Sequence, residues 1–360
     1  MRYPEFIKKG DRIGYTAPSM GATTEPYASC FAKALEVMAE RGYGHEIGKN
    51  VYKDDGIGIS TNPKAAAEEL VELYLSKENQ ALISTGGGEM MCELLPYVDW
   101  EKIKAGKPKW YLGYSDNTNF TFVATTMCDV ATVYGPCAPT FGVTPWHPCL
   151  EQTMEVLEGR RTQVENFDLW ELDDYRDAEH PFAPMNVTEP VVIKSFPERN
   201  HSFTGRLVGG CLDCLVNLRS TDYDHVAEFN EKYKEDGIIW FLEACDLNIF
   251  GIRRAIWQLK EVGWFKYLKG FLIGRPVCFG EAFLGLDQYT AVTDLLEEYQ
   301  VPILMDLDFG HRNPTMPIVT GALAKVDFTD GHFCMTYLED LHHTNLMRKQ
   351  WGKIGELCQR

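Results

Sequence analysis

Apolar runs of strand length alternate with amphipathic stretches over the first part of the chain. Residues 11–17 and 81–85 form short apolar runs, whereas residues 26–41 carry apolar side chains at helical spacing and end before a glycine. A short apolar run is typical of a buried strand, and a period of three to four residues is typical of a helix. This alternation continues over about 140 residues and predicts a parallel sheet with helices on both faces.

A second set of apolar runs follows residue 204. Residues 237–243 and 270–274 predict buried strands, amphipathic helices lie between and after them, and the end of the chain is rich in β-structure. Between the two sets, residues 163–203 are acidic, aromatic and rich in proline. A connection of this length is usually a lid, a binding loop or a linker. The residues leave these choices open, including a solvated linker in which Trp170 merely packs on a neighbouring element.

The pattern divides the chain into three predicted regions. Residues 1–162 form an N-terminal α/β domain, residues 163–203 an acidic and aromatic connecting loop, and residues 204–360 a C-terminal domain. Two domains suit a chain of 360 residues, because single hydrophobic cores stop growing at roughly 250–300 residues.

Charge and cysteine usage narrow the class of protein. The net charge of −17 argues against nucleic acid, which requires a basic face, and against an anionic membrane. The first residues lack the apolar core of a signal peptide, and no apolar run reaches the roughly 18 residues that a membrane span needs, so we expect a cytoplasmic protein. The eleven cysteines are scattered. Cys211 and Cys214 have CxxC spacing, but no second pair stands at zinc-site spacing, so neither metal binding nor redox use of this pair is expected.

One strand is followed at once by residues that can do chemistry. The apolar run that ends in Gly113-Tyr114 leads to Ser115 and Asp116 and then to a predicted helix. A sharp turn from strand to helix exposes its residue beside free backbone N–H groups, so Ser115 is a candidate nucleophile. Serine and aspartate are also preferred helix caps, and this structural interpretation stays open.

A second strand leads into three glycines, Gly86 to Gly88, and then Glu89. In parallel sheets ligands bind beyond the carboxyl ends of the strands, where Ser115 also lies. Consecutive glycines let a ligand approach the backbone and present N–H groups as donors. The run can equally be a flexible turn or a phosphate cradle. A GxGxxG fingerprint is absent, so a dinucleotide site is not indicated.

Two further residues have the character of partners for Ser115, since a serine hydroxyl needs a base and a group that orients the base. His311 follows a buried strand and a Phe-Gly turn, which places it on a loop at a strand end. Glu243 ends a strongly apolar strand, where an unpaired carboxylate would be expensive to bury. Either residue taken alone also has a structural interpretation.

Five segments, in this order and near this spacing, resemble the LD-carboxypeptidase family of serine peptidases. The segments are residues 84–88, 113–118, 205–210, 241–243 and 309–311. Within the family the chain looks most similar to the microcin C immunity peptidases, which have an extended loop where this chain has residues 163–200. The resemblance implies a flavodoxin-like N-terminal domain, a β-rich C-terminal domain, an active site between them and a homodimer.

The resemblance also implies the roles of site residues. Ser115 would be the nucleophile, His311 the general base and then general acid, and Glu243 the group that orients the imidazole. The backbone N–H of Asp116 and one from Gly87 or Gly88 would hold the oxyanion. No metal or organic cofactor is implied.

The implied reaction is hydrolysis of the amide or acyl linkage of a peptidyl- or aminoacyl-nucleotide through an acyl-enzyme. Trp170 and Tyr175 would be the counterparts of the loop aromatics that stack on adenine, and Glu89 stands where several members have Asp or Asn. The alternative is removal of the terminal D-alanine from murein tetrapeptide, for which Arg254 is a candidate carboxylate anchor. A third hypothesis is a non-hydrolytic protein that binds a phosphate at the glycine run.

Overall fold

The structure is a computed structural model that describes residues 1–339, so residues 340–360 of the predicted C-terminal domain lie outside it. The strands are β1 Arg12–Thr16, β2 Gly44–Ile47, β3 Ala81–Ser84, β4 Trp110–Gly113, β5 Thr132–Tyr134, β6 Gln163–Glu165, β7 Leu169–Trp170, β8 Glu189–Pro190, β9 Lys194–Phe196, β10 His201–Cys211, β11 Ile238–Glu243, β12 Leu268–Gly274, β13 Ala282–Phe283, β14 Leu286–Asp287, β15 Ile303–Leu307, β16 Ile318–Thr320, β17 Leu323–Thr329 and β18 His332–Tyr337. The α-helices are α1 Tyr27–Glu40, α2 Pro63–Leu75, α3 Trp100–Ala105, α4 Thr118–Cys128, α5 Pro148–Leu157, α6 Leu212–Leu218, α7 Val226–Lys232, α8 Ile249–Glu261 and α9 Thr290–Leu296. Short 3₁₀ helices span Met91–Tyr97, Ser115–Asn117, Ala138–Gly142 and Glu297–Tyr299.

The first sheet has the strand order β16-β5-β4-β3-β1-β2. Strands β1 to β5 run parallel, and β16 pairs antiparallel with β5 at one edge. All residues of β3 and β4 are buried, as expected for strands covered on both faces. The carboxyl ends of β3 and β4 therefore open at the same edge of the sheet, where the glycine run and Ser115 follow.

The second sheet has the order β6-β18-β17-β10-β11-β12-β15-β9. Its centre, from β10 to β15, is parallel, and the flanking pairs are antiparallel. The predicted α/β class, with a parallel-rich sheet first and a second sheet after it, is confirmed. Within residues 1–339 no helix is long and apolar enough to cross a membrane.

Several strands join a sheet outside the region that was predicted for them from the sequence. Strand β16 follows residue 204 in the chain but completes the first sheet. Strands β6 and β9 belong to the connecting segment of residues 163–203 and form the two edges of the second sheet, whereas β7 and β8 pair separately. The segment is thus partly built into the fold.

Helix α4 joins the two sheets at the point where the site forms. All of its residues except Met127 are buried, and it packs against β10. The hydroxyl of Thr118, its first residue, accepts the backbone N–H of Cys211 at 3.0 Å. This bond fixes the end of β10 beside the turn that carries Ser115, and β11 lies parallel next to β10.

Candidate active site

Ser115 sits in a strained turn between β4 and α4. Its φ of 63° is left-handed, which is uncommon for a residue with a side chain. A strained strand-to-helix turn is one way to expose a nucleophile above a sheet, and such strain persists only where the surroundings enforce it. Asn117 helps to enforce it, because its Nδ2 donates to the carbonyls of Gly86 and Tyr114 at 2.9 and 3.0 Å. No side-chain cap bond begins this 3₁₀ helix or α4.

The structure brings Ser115, His311 and Glu243 together. Nε2 of His311 lies 2.8 Å from Oγ of Ser115, and Nδ1 lies 2.7 Å from Oε2 of Glu243. Glu243 ends β11 and is 1% exposed. Gly310 has φ of 104°, and a Cβ there would lie 2.6 Å from Oε2 of Glu243, so this close approach requires glycine. The three residues predicted from separate strand ends thus form one hydrogen-bonded chain.

Tyr134, the last residue of β5, was not predicted to take part. Its buried hydroxyl donates to Oε1 of Glu243 at 2.5 Å and accepts the backbone N–H of Ser115 at 3.3 Å. It therefore joins the carboxylate at the end of a strand of the second sheet to the turn of the first sheet that carries Ser115. In the sequence it is simply an aromatic residue at the end of an apolar strand, a pattern typical of a core residue.

In this hydrogen-bonded set, His311 and Glu243 each favour their charged form. Burial opposes an imidazolium, but the Glu243 carboxylate and hydrogen bonds with Cys245 and Glu243 outweigh it and hold the pKa of His311 well above its ordinary value. Burial also opposes a carboxylate, yet His311 and the Tyr134 hydroxyl hold the pKa of Glu243 below its ordinary value. An ionised Glu243 can fix the Nδ1–H tautomer, which leaves Nε2 free to accept the Ser115 proton.

Backbone donors lie beside the Ser115 hydroxyl. A Cβ added at Gly87 would lie 3.1 Å from Oγ of Ser115 and 4.0 Å from the backbone nitrogen of Asp116. Within residues 1–339 we find no acceptor for the backbone N–H groups of Gly87, Gly88 and Asp116. These donors can stabilise negative charge that develops on an oxygen held there.

The Asp116 side chain points into the protein. Its Oδ2 accepts Ser19 Oγ–H at 2.6 Å and Met91 N–H at 3.0 Å, and its Oδ1 accepts Nδ2 of Asn119 at 2.9 Å. Burial raises its pKa to about 6. The side chain thereby ties two neighbouring loops to the turn that carries Ser115.

A cleft with a volume of about 240 Å³ opens at these groups. Its walls include the glycine run, Tyr27, Tyr114 and Cys245, and Ser115 and His311 lie in it. Apart from His311, the charged side chain that lines it among residues 1–339 is Glu89, which is exposed.

The other residues predicted to contact the substrate, Trp170, Tyr175 and Arg254, do not line this cleft. Trp170 is 4% exposed, packs edge-on against Phe279 and does not line the cleft. Tyr175 is 63% exposed on the same segment. Its neighbour Arg176 forms a salt bridge with Asp174. Arg254 lies on an exposed face of α8, away from the lining residues.

Cys211 could join Glu243 and His311 as a metal ligand. Donor atoms of the three residues all lie within 4.8 Å of one another. However, Glu243 and both ring nitrogens of His311 already make the hydrogen bonds described above. Cys214 places its sulfur 3.6 Å from the Ser115 carbonyl, so the CxxC pair lies directly behind the turn that carries Ser115.

Two family models match the chain over the segments that form this site. The model described as LD-carboxypeptidase N-terminal domain matches residues 13–135, and the one described as LD-carboxypeptidase C-terminal domain matches residues 204–326. The chain belongs to the LD-carboxypeptidase family. The microcin C7 self-immunity protein MccF of Escherichia coli is 26% identical to it over 338 residues, which cover 91% of this chain and 93% of that protein.

Solved structures of similar proteins establish the fold. MccF in complex with glutamyl sulfamoyl guanosine superposes with a TM-score of 0.80 at 23% identity and covers 94% of this chain and 100% of that one. An MccF-like protein from Bacillus anthracis superposes with a TM-score of 0.79 at 22% identity and covers 93% and 98%. Membership of this family makes the chain a serine peptidase-type enzyme.

Proposed function

We propose that this protein hydrolyses the amide or acyl linkage of an aminoacyl- or peptidyl-nucleotide, with Ser115 as nucleophile. The observation that carries the proposal is the chain of hydrogen bonds from Oγ of Ser115 through His311 to Glu243, at 2.8 and 2.7 Å. A hydroxyl, an imidazole and a carboxylate in this order form the constellation that activates serine for acyl transfer.

The proposed mechanism follows from these positions. His311 takes the proton of Ser115 as Oγ attacks the substrate carbonyl, and Glu243 stabilises the imidazolium that forms. The N–H groups of Asp116 and of Gly87 or Gly88 hold the oxyanion. His311 then protonates the leaving group, and an acyl-enzyme remains. Water, deprotonated by His311, releases the acid and restores the serine.

The proposed substrate class is supported by its similar proteins and by the cleft. MccF is named for self-immunity to microcin C7, and one of its structures holds glutamyl sulfamoyl guanosine. In this chain Glu89 is placed to attract a cationic group, such as the free amine of an aminoacyl moiety, because its carboxylate lines the cleft. Tyr175 offers an exposed aromatic face for a nucleobase.

The alternative is removal of D-alanine from a murein tetrapeptide, an activity that the description of the matching family favours. It requires a group that holds a free carboxylate. Arg254, the predicted anchor, would have to act from outside the cleft. The same nucleophile, base and acid would serve this reaction.

A cleavage assay followed by mass spectrometry separates the two substrates. Purified protein is incubated with an aminoacyl sulfamoyl-adenosine or with murein tetrapeptide, and Ser115→Ala serves as the control for each. We expect hydrolysis of the nucleotide compound alone. Hydrolysis of the tetrapeptide alone would move the protein to the alternative, and binding without turnover of either compound would favour a non-hydrolytic role.

Two properties of the whole protein belong to the same proposal. We expect it to act in the cytoplasm, as predicted from the pattern of its sequence, and as a homodimer, which the family resemblance implies. Sedimentation of the purified protein measures whether it is a dimer in solution. Fractionation of the cells that make it measures the location.

A further inference from the structure

The loop that carries His311 is bonded to the connecting segment on both sides of that residue. We call residues 306–313 the histidine loop. On the N-terminal side of His311, Oδ2 of Asp308 accepts the backbone N–H of Phe167 at 2.8 Å. Asp308 is fully buried, so this bond is shielded from water.

The bonds on the C-terminal side are equally direct. The backbone N–H of Glu171 donates to the Asn313 carbonyl at 2.8 Å, and Nδ2 of Asn313 donates to Oε2 of Glu171 at 2.9 Å. Arg312 donates from Nη1 to the carbonyl of Leu172. Glu171 is 2% exposed, so this part of the segment is fixed against the protein and does not move as a free flap.

Trp170 stands between these two sets of bonds, over a buried cation. The guanidinium carbon of Arg275 lies 4.4 Å from the centre of its ring. Arg275 is 1% exposed and donates from Nη2 to Oδ1 of Asp308 at 3.0 Å and to the Asp306 carbonyl at 2.8 Å. Its Nη1 has no hydrogen-bond partner within residues 1–339. The aromatic face is therefore a principal contact of a cation that is otherwise only partly satisfied.

We propose that Trp170 is a positioning residue that holds the histidine loop through Arg275 and Asp308, and that it does not stack on the substrate. The inference rests on the proposed function, in which His311 is the general base. Loss of the aromatic face would leave the buried guanidinium poorly compensated. The histidine loop would then shift, and with it the 2.8 Å approach of His311 to Ser115.

Positioning and stacking predict different kinetics. A displacement of about 1 Å in a catalytic group can cost about a hundredfold in rate, and that loss falls on kcat whatever the leaving group. A stacking residue contributes binding only where a nucleobase is present, so its loss raises KM for nucleoside substrates alone. Tyr175 and Phe182 are aromatic residues on this segment with the exposure that stacking requires.

The test compares two substrates, an aminoacyl sulfamoyl-adenosine and the corresponding aminoacyl methyl sulfamate. In Trp170→Leu we expect kcat to fall roughly tenfold to a hundredfold for both, with KM within about twofold. Trp170→Phe should restore most of kcat, because a ring face remains. Trp100→Leu is the matched control: this tryptophan is 7% exposed, lies outside the cleft and should lower stability without lowering kcat.

A rise in KM confined to the adenosine compound, with kcat kept, would overturn the proposal and assign Trp170 to the nucleobase. Should Trp170→Leu fail to fold, Asp308→Asn weakens the other end of the Arg275 contact and should give the same loss of kcat. If the wild type cleaves neither compound, the proposed function fails. Histidine-selective NMR then tests the positioning role of Trp170 on its own. A shifted His311 ring signal in Trp170→Leu but not in Trp100→Leu supports positioning, and an unshifted signal refutes it.

Discussion

Gly87→Ala tests the backbone donors beside Ser115 without replacing any side chain of the proposed machinery. The new Cβ would lie 3.1 Å from both Cβ and Oγ of Ser115 and 4.0 Å from the nitrogen of Asp116. It would therefore occupy the space in which the oxyanion of a tetrahedral intermediate must form. The conformation of Gly87 is not left-handed, so the backbone can accept alanine there.

Gly87→Ala should weaken the stabilisation of the transition state. Alanine removes no donor but fills the position of the oxyanion, so we expect a loss comparable to that of one oxyanion donor, about 2.7–4 kcal/mol or roughly a hundredfold to a thousandfold in kcat. Folding should change little, because the crowded atoms belong to a single side chain and replacement of glycine by alanine makes the unfolded chain stiffer, which contributes about 0.4–1 kcal/mol of stability.

The assay is steady-state hydrolysis of the aminoacyl sulfamoyl-adenosine, with thermal unfolding measured on the same samples. Gly135→Ala is a matched control, since its Cβ would meet the Leu112 side chain at 3.2 Å, close to the crowding at Gly87 but away from the Ser115 hydroxyl. The control should keep kcat within a few fold. If Gly87→Ala also keeps kcat, the oxyanion does not form at this loop and the reasoning fails.

Three further predictions concern the groups around His311. Tyr134→Phe removes a hydrogen bond to the buried carboxylate, a contact worth about 1.5–3 kcal/mol, so we expect kcat to fall roughly tenfold to a hundredfold at nearly constant KM. Tyr337→Phe should keep kcat, since its buried hydroxyl likewise accepts an N–H but donates to a carbonyl away from the site. The base must be neutral and the pKa of His311 is raised above 6.5, so kcat/KM should rise with pH to a half-maximum above pH 6.5. In the slower Glu243→Gln variant that half-maximum should move downward, because burial of the imidazole then acts without the opposing charge; a half-maximum that stays in place would contradict this. Glu89→Gln should raise KM several-fold for a substrate with a free amine and leave KM unchanged for its N-acetyl derivative, and equal effects on both would exclude recognition of the amine.

The parallel sheet of the N-terminal region and the candidate residues at strand ends could be predicted from local sequence. Ser115, Glu243 and His311 each follow a buried apolar run, and the topology of a parallel sheet places such positions at one edge. That they approach within hydrogen-bond distance depends on the second sheet, on Gly310 and on Tyr134, which are long-range features. The roles of the three residues came from the family resemblance and not from their spacing.

What the sequence did not reveal depends on pairing between distant segments. Strand β16 lies in the first sheet although it follows the second sheet's central strands in the chain, and a run of three residues carries no sign of its partner. Strands β6 and β9 are equally short and lie in a segment whose composition resembles a linker. The family resemblance suggested a ligand contact for Trp170, beside the open alternative that it packs on a neighbouring element. That Arg275 is the residue it packs on could not be foreseen, because this partner comes from a distant part of the chain.

Covalent labelling with a fluorophosphonate tests the central claim most directly. The wild-type protein is treated with the probe, the intact mass is measured, and the modified peptide is sequenced. We expect a single adduct on Ser115, no adduct in Ser115→Ala and much slower labelling in His311→Ala. An adduct that persists in Ser115→Ala would show that another residue is the nucleophile and would contradict the account.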